Sequence, residues 1–240
     1  MNPTGTKTTR LSAKDPNGQN VGTGKDPFGE TSGLKPMLRE LDIRPRKFFI
    51  PEPGYFILSV DYSQLQLAIF AQLSGEPDMV RALLAGEDLH EFTARKIYSL
   101  PPGKKPDKGQ RTVGKNINFG FIFGAGEEKM RASTAGVSGL KRLLSKRFPH
   151  ATDFISKNKK DAEQYGFVLT PGGYPLQVPH DRSYAASNFI VQGAEGEIVK
   201  LAMAATRKAF QGIAPELRPS LLLQVHDELD FRVPCLLYTS

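Results

Sequence analysis

Residues 1–36 carry no hydrophobic period and are rich in Gly, Pro, Thr, Asn and Lys, so they read as loop. The first strongly apolar run, Phe56-Ile57-Leu58-Ser59-Val60, follows the turn signal Pro51-Glu52-Pro53-Gly54. It predicts a buried strand over about 55–61 that stops at Asp61. Helical character follows from Ser63 to Leu73, and the stretch SGEPD (74–78) closes that helix and caps another. Residues 79–100 split at Gly86 into two short amphipathic helices, and 101–110 form an exposed basic loop. From about Lys108 to Tyr165 the pattern is helical, interrupted around FGAGEE and TAGVSG. GFVLTPGGYPLQV (166–178) predicts a β-hairpin with a Pro-Gly-Gly turn, and a long helix is expected within 183–210. Near the C-terminus, Leu229, Phe231 and Val233 alternate with Glu228, Asp230 and Arg232, the period of a half-buried strand. Together with LLLQV before it, this gives two strands around His226-Asp227. The order predicts an α+β fold: an antiparallel sheet assembled from both ends of the chain, with a mostly helical insertion between them.

Composition narrows the class. The chain has 240 residues, enough for one large or two modest domains, and its 39% hydrophobic and 24% charged content is ordinary for a globular protein. No apolar run approaches the ~18 residues of a membrane span, and the first residues have no apolar core for a secretory signal. A single cysteine, Cys235, rules out an internal disulfide and fits a reducing compartment. With no CxxC or HExxH, a structural zinc site is not expected. Net charge is +7, yet residues 104–160 alone hold fourteen Lys/Arg against four Asp/Glu. A basic block inside the insertion suggests a polyanionic partner, though it also fits a solvated lysine-rich face.

Two features carry candidate chemistry. A two-residue turn at His226-Asp227 lifts Asp227 to a hairpin tip, and Asp61 ends another strand. If those strands are neighbours, two carboxylates meet at one sheet edge, an arrangement that a divalent cation such as magnesium would make favourable. Read singly, each Asp also fits a turn or cap residue. In RTVGKNINFGFIFG, Arg111, Lys115, Phe119 and Phe123 recur every four residues and form one stripe on a helix. Two cations and two rings suit a nucleoside triphosphate, while the stripe also fits a core helix with a basic solvent end. Asn116, Asn118, Gly120 and Gly124 are poor helix formers whose presence asks for another reason.

Taken together, DYSQLQL, R-x3-K-x3-F within RTVGKNINFG, and VHDE resemble the two acidic motifs and the finger helix of family A DNA polymerases, the bacterial polymerase I type. RLSAKDPNGQN, GEDLHEFTA and SNFIVQGAEGEIVKLAM add further matches, so the resemblance runs from about residue 2 to 234. It implies a palm over 1–74 and 183–234, fingers over 75–182, and template-dependent addition of deoxynucleotides to a primer 3′-hydroxyl. Asp61, Asp227, Glu228 and Lys115 become the catalytic set, with two magnesium ions held by Asp61, Asp227 and the Tyr62 carbonyl. Arg111, Lys115 and His90 would grip phosphates, Phe119 would face sugar and base, and Gln64, Gln66 and Phe123 would line the nucleotide site. Arg10, Asn20, Asn188, Gln192 and His226 would track the primer–template duplex. The implied partners are that duplex and deoxynucleoside triphosphates, with no membrane, a monomeric state and a cytoplasmic setting in a bacterial or phage-infected cell.

This sequence departs from the family at three positions. Where the family has DYSQ-x-E-L-R, Gln66 stands for the glutamate and Ala68 for the arginine, and Phe123 stands for a tyrosine. The lost glutamate and tyrosine are partners in the family, so the expectation is a pocket that still excludes ribonucleotides sterically with altered tuning. The ending CLLYTS (235–240) breaks the strand pattern and reads as a non-native tail, and the chain reads as a fragment lacking thumb and exonuclease-like parts. A non-catalytic nucleic-acid-binding remnant and a two-metal nuclease or phosphatase are the alternatives.

Overall fold

A computed structural model describes residues 6, 8, 10, 11, 49–101, 103–123 and 140–237, without the side chains of 121–123 and 140–141. In chain order the elements are β1 (Tyr55–Asp61), α1 (Leu65–Ser74), α2 (Pro77–Leu84), α3 (Leu89–Tyr98) and α4 (Lys108–Phe123). Then come α5 (Leu140–Arg147), α6 (Pro149–Tyr165), β2 (Phe167–Leu169) and β3 (Pro175–Gln177). A 3₁₀ turn (His180–Ala185) leads into α7 (Ala186–Gln211), followed by β4 (Ser220–Val225) and β5 (Glu228–Pro234). The α+β class with antiparallel sheets is the one expected from the pattern.

The chain divides into two compact units. One comprises Met1–Thr6, Arg10–Tyr62 and Ile198–Ser240, the other Lys7–Thr9 and Ser63–Glu197. The palm and fingers boundaries expected at 74/75 and 182/183 both fall inside the second unit. There α1 packs against α6, with Phe70 and Phe154 in an edge-on ring contact, so α1 shares the core of the helical insertion.

Among its described residues the first unit holds a three-stranded antiparallel sheet in the order β1-β5-β4, together with α7 from Ile198 onward. Leu229, Phe231 and Val233 of β5 are buried while Glu228, Asp230 and Arg232 are only partly covered, as their alternation predicts. Cys235 N donates to the Gly54 carbonyl at 2.9 Å, so the ladder continues one residue past β5. The expectation of a buried β1 is corrected. Leu58 and Val60 are 45% and 49% exposed and Phe56 and Ile57 are only partly covered; among the described residues β1 pairs on one side alone, with β5. Strand propensity and ladder pairing put these residues in β1; burial does not.

In the second unit each helix boundary has a local cause. Gln64 (φ 55°) starts α1 from a left-handed conformation and Gly75 (φ 63°) ends it in one. Glu76 precedes Pro77 at the first turn of α2. Asp88 caps α3, accepting from His90 N at 2.7 Å and Glu91 N at 3.1 Å. Helices α3 and α4 form the closest pair, lined by buried Leu89, Ala94, Val113 and Ile117. Gly114 permits this approach, since a Cβ there would lie 2.2 Å from the His90 carbonyl oxygen. Among the described residues no helix is long and apolar enough to cross a membrane.

Candidate active-site residues

In the first unit, strand pairing does what the sequence could only suppose. The β1–β5 register sets Asp61 directly opposite Glu228, and Tyr62 N donates to the Asp227 carbonyl at 3.3 Å. Asp227 lies in the two-residue turn between β4 and β5, where His226 takes a left-handed φ of 55°. The buried Gln224 amide donates to the His226 carbonyl and braces this turn. Asp61, Asp227 and Glu228 therefore share one end of the sheet, with Asp61 exposed. Among the described residues no group of three or more His, Cys, Asp or Glu closes around a metal position. Two aspartates and a backbone carbonyl at an open rim are hard oxygen donors. They fit magnesium, which takes few protein carboxylates and keeps room for water and phosphate, better than a closed zinc or calcium cage.

In the second unit, the spacing of four on α4 gathers the expected cations and ring around α3. His90 and Phe119 have ring centroids 5.8 Å apart, and Lys115 Nζ sits 5.7 Å from the Phe119 ring centroid. Arg111 is not open to solvent alone. It binds the Asp88 carboxylate at 2.5 Å and approaches Glu91 at 3.9 Å. Burial works against the charge of Asp88, but Arg111 and the Glu91 and His90 N–H groups outweigh it and hold its carboxyl below the ordinary range. The same bond raises the Arg111 pKa. Burial lowers the His90 pKa, and the nearby Arg111 and Lys115 charges add to this against the opposing pull of Asp88. The net shift favours the neutral imidazole.

The two glutamines after Asp61 serve contacts the sequence did not indicate. Gln64 Oε1 accepts from Leu89 N at 3.0 Å and so ties the start of α1 to the start of α3. Gln66 Nε2 donates to both carboxylate oxygens of Glu195 on α7, at 3.1 and 3.3 Å. Glu195 is 1% exposed, and Gln66 Oε1 is buried with no hydrogen-bond partner. The expected counterpart, Phe123, has a side chain outside the described residues; the polar partner that the fold gives Gln66 is Glu195. A neutral amide is what a buried carboxylate can accept as a neighbour. Gln66→Glu should destabilise the protein by about 2 kcal/mol, with Glu195→Gln restoring most of the loss, as read from denaturant melts.

Of the expected duplex-tracking residues, Asn188 and Gln192 form an i,i+4 pair on α7, Gln192 Nε2 donating to Asn188 Oδ1 at 2.8 Å. His226 is exposed on its turn in the first unit. The Arg10 carbonyl accepts from Thr6 Oγ1 at 2.7 Å. Asn20 lies outside the described residues. Sequence reasoning missed Asp88, Thr93, Gly114 and Glu195. Asp88 had a signal, an Asp followed by Glu91 three residues on at a helix start.

Comparisons with known proteins place the chain in a family. The family model for DNA polymerase family A matches residues 1–236. The chain is 31% identical to "DNA polymerase I, thermostable" of Thermus thermophilus, over 98% of this chain and 28% of that protein. It is 32% identical to DNA polymerase I of Rhizobium leguminosarum, over 95% of this chain and 22% of that one. The chain thus spans less than a third of the length of these curated relatives. Among solved structures, the POL domain of Pol1 from M. smegmatis, in complex with DNA primer-template and dNTP, superposes with a TM-score of 0.81 at 28% identity. That match covers 98% of this chain and 41% of the other.

Proposed function

Since this chain belongs to DNA polymerase family A, we propose that it carries the nucleotide-adding centre of a template-directed DNA polymerase. The observation that supports this most is the strand register that sets Asp61 against Glu228 with Asp227 beside them. In this reading a primer 3′-hydroxyl loses its proton to water and its oxygen forms a bond to the α-phosphorus of a deoxynucleoside triphosphate. The bond from that phosphorus to the bridging oxygen breaks, and pyrophosphate leaves. Asp61, Asp227 and the Tyr62 carbonyl would hold magnesium, which would supply a lower pKa for the attacking hydroxyl and charge to offset that of the leaving group. Glu228 adds negative charge beside them.

Arg111, Lys115 and His90 serve the triphosphate. Lys115 provides a mobile charge, Arg111 a planar fork for two phosphate oxygens, and His90 a neutral donor. Phe119 offers a ring to the sugar and base. Gln66, held by Glu195, and Phe123 set the tolerance of the pocket for a ribose 2′-hydroxyl. Asn188, Gln192, His226, Arg10 and Asn20 would follow the duplex by its shared minor-groove acceptors, which report geometry without sequence.

The test is extension of a primed DNA template by the protein with magnesium and the four deoxynucleotides. Stepwise lengthening of the primer supports the reading. Duplex binding with no lengthening would favour a non-catalytic remnant, and shortening would favour a nuclease. Parallel reactions with ribonucleotides should be much slower, and equal rates would overturn the sugar assignment.

The Asp88–Arg111 ion pair gives a further expectation. A phosphate must displace the Asp88 carboxylate from Arg111 before it can bind bidentately. Asp88→Asn keeps an equivalent helix cap while removing the competing charge. Deoxynucleoside triphosphate affinity, read by fluorescence titration, should rise about threefold.

A further inference from the structure

Asn118 sits in the middle of α4, where its helix propensity is poor and its polar amide is 2% exposed. Its surroundings account for it. Oδ1 accepts from Thr93 Oγ1 at 2.8 Å, and Nδ2 donates to the Leu89 carbonyl at 3.1 Å. Nδ2 also lies 3.1 Å from Nδ1 of His90, itself 8% exposed. The Leu89 carbonyl can only accept, so the amide group facing it must be the NH₂. The same NH₂ faces His90 Nδ1, and a donor there is matched only by a lone pair. A neutral imidazole with a bare Nδ1 carries its proton on Nε2.

We propose that Asn118, oriented by Thr93, is a positioning residue that locks His90 in its neutral Nε2–H form, so that the imidazole offers a donor to an anionic triphosphate. The two other states of the ring are both disfavoured by this contact. An Nδ1–H tautomer or an imidazolium would set N–H against N–H inside a buried network. An Nδ1–H tautomer would also turn a lone pair toward a phosphate oxygen. The lowered His90 pKa, set by burial with Arg111 and Lys115 against Asp88, favours the neutral ring in the same direction. The Gly114 close approach holds the His90 backbone against α4, which keeps the ring in register with Asn118.

The inference rests on His90 being a phosphate ligand, and its test separates the two. Long-range ¹⁵N–¹H spectra of the labelled protein report the tautomer of each histidine, and a His90→Gln sample assigns the His90 signals. The wild type should show the Nε2–H pattern near pH 7.5. Asn118→Asp puts an acceptor where Nδ2 was, so His90 should switch to Nδ1–H or imidazolium and triphosphate affinity should fall about tenfold or more. Asn118→Leu, which keeps the side-chain shape and removes the donor, should leave a mixed tautomer population. It decides the matter if the Asp variant does not fold. A wild-type Nδ1–H pattern, or an unchanged Nε2–H pattern in a folded Asn118→Asp or Asn118→Leu protein, overturns the lock. A locked tautomer in a wild-type protein that binds no triphosphate would leave the lock standing and refute the phosphate role.

Discussion

Asp227→Ala should reduce primer extension on the order of 10³-fold or more, about 4 kcal/mol of transition-state stabilisation, while changing stability little. Both halves of that expectation come from where the residue sits. Asp227 is in the turn between β4 and β5 and is only partly covered. Its backbone carbonyl, which accepts from Tyr62 N, survives the substitution. Surface replacements of this kind stay within about 0.5 kcal/mol in stability. What disappears is one of two aspartates at the rim, and magnesium would be left with a single one beside the Tyr62 carbonyl. Extension rates across a magnesium titration, together with a thermal melt, give the measurement. Retained extension would refute the assignment of the rim. A large loss of stability would mean that the effect on rate says nothing about chemistry.

Gly114→Ala is the second large effect and acts through packing. The added methyl would sit 2.2 Å from the His90 carbonyl oxygen and 2.9 Å from Ala94 N. Both are backbone atoms of α3, so the clash can be relieved only by moving one helix away from the other. Overpacking costs about 1–3 kcal/mol in ordinary cores, and a backbone-to-Cβ clash belongs at the upper end. The melting temperature should fall by several degrees. Triphosphate affinity should fall as well, because α3 carries His90 and α4 carries Arg111 and Lys115. An alanine variant with unchanged melting and affinity would show that the helices do not need this approach.

Much of the fold was legible in the pattern. The strand at 55–61, the helix break at Gly86, the Pro-Gly-Gly hairpin and the turn at His226-Asp227 are local features, fixed by residues close in sequence. The apolar run of β1 misled as to burial, because a β-branched and aromatic stretch reports strand formation whichever face ends up covered. The unit boundaries depend on which helices share a core, and no local signal reports that. The acids, the cations and Phe119 on α4 were legible because strand ends and a spacing of four are sequence properties. Asp88 on Arg111, Asn118 on His90 and Glu195 on Gln66 were not, since each joins segments 23 to 129 residues apart. Asn118 had at least announced itself as a poor helix former without a stated reason.

The pairing of β1 with β5 also orders events in time. Ser59 and Asp230 are bonded across 171 positions of chain, and the rim acids depend on the same ladder. The helical unit is nearly continuous in sequence and can collapse on local contacts. The sheet must wait for its last strand and close a very long loop, so its formation should be the slower step. A nascent chain would then present its cationic helix before the acids at the sheet end are brought together. On the proposed function, the part that would hold a nucleotide forms, during synthesis, ahead of the part that would react with it.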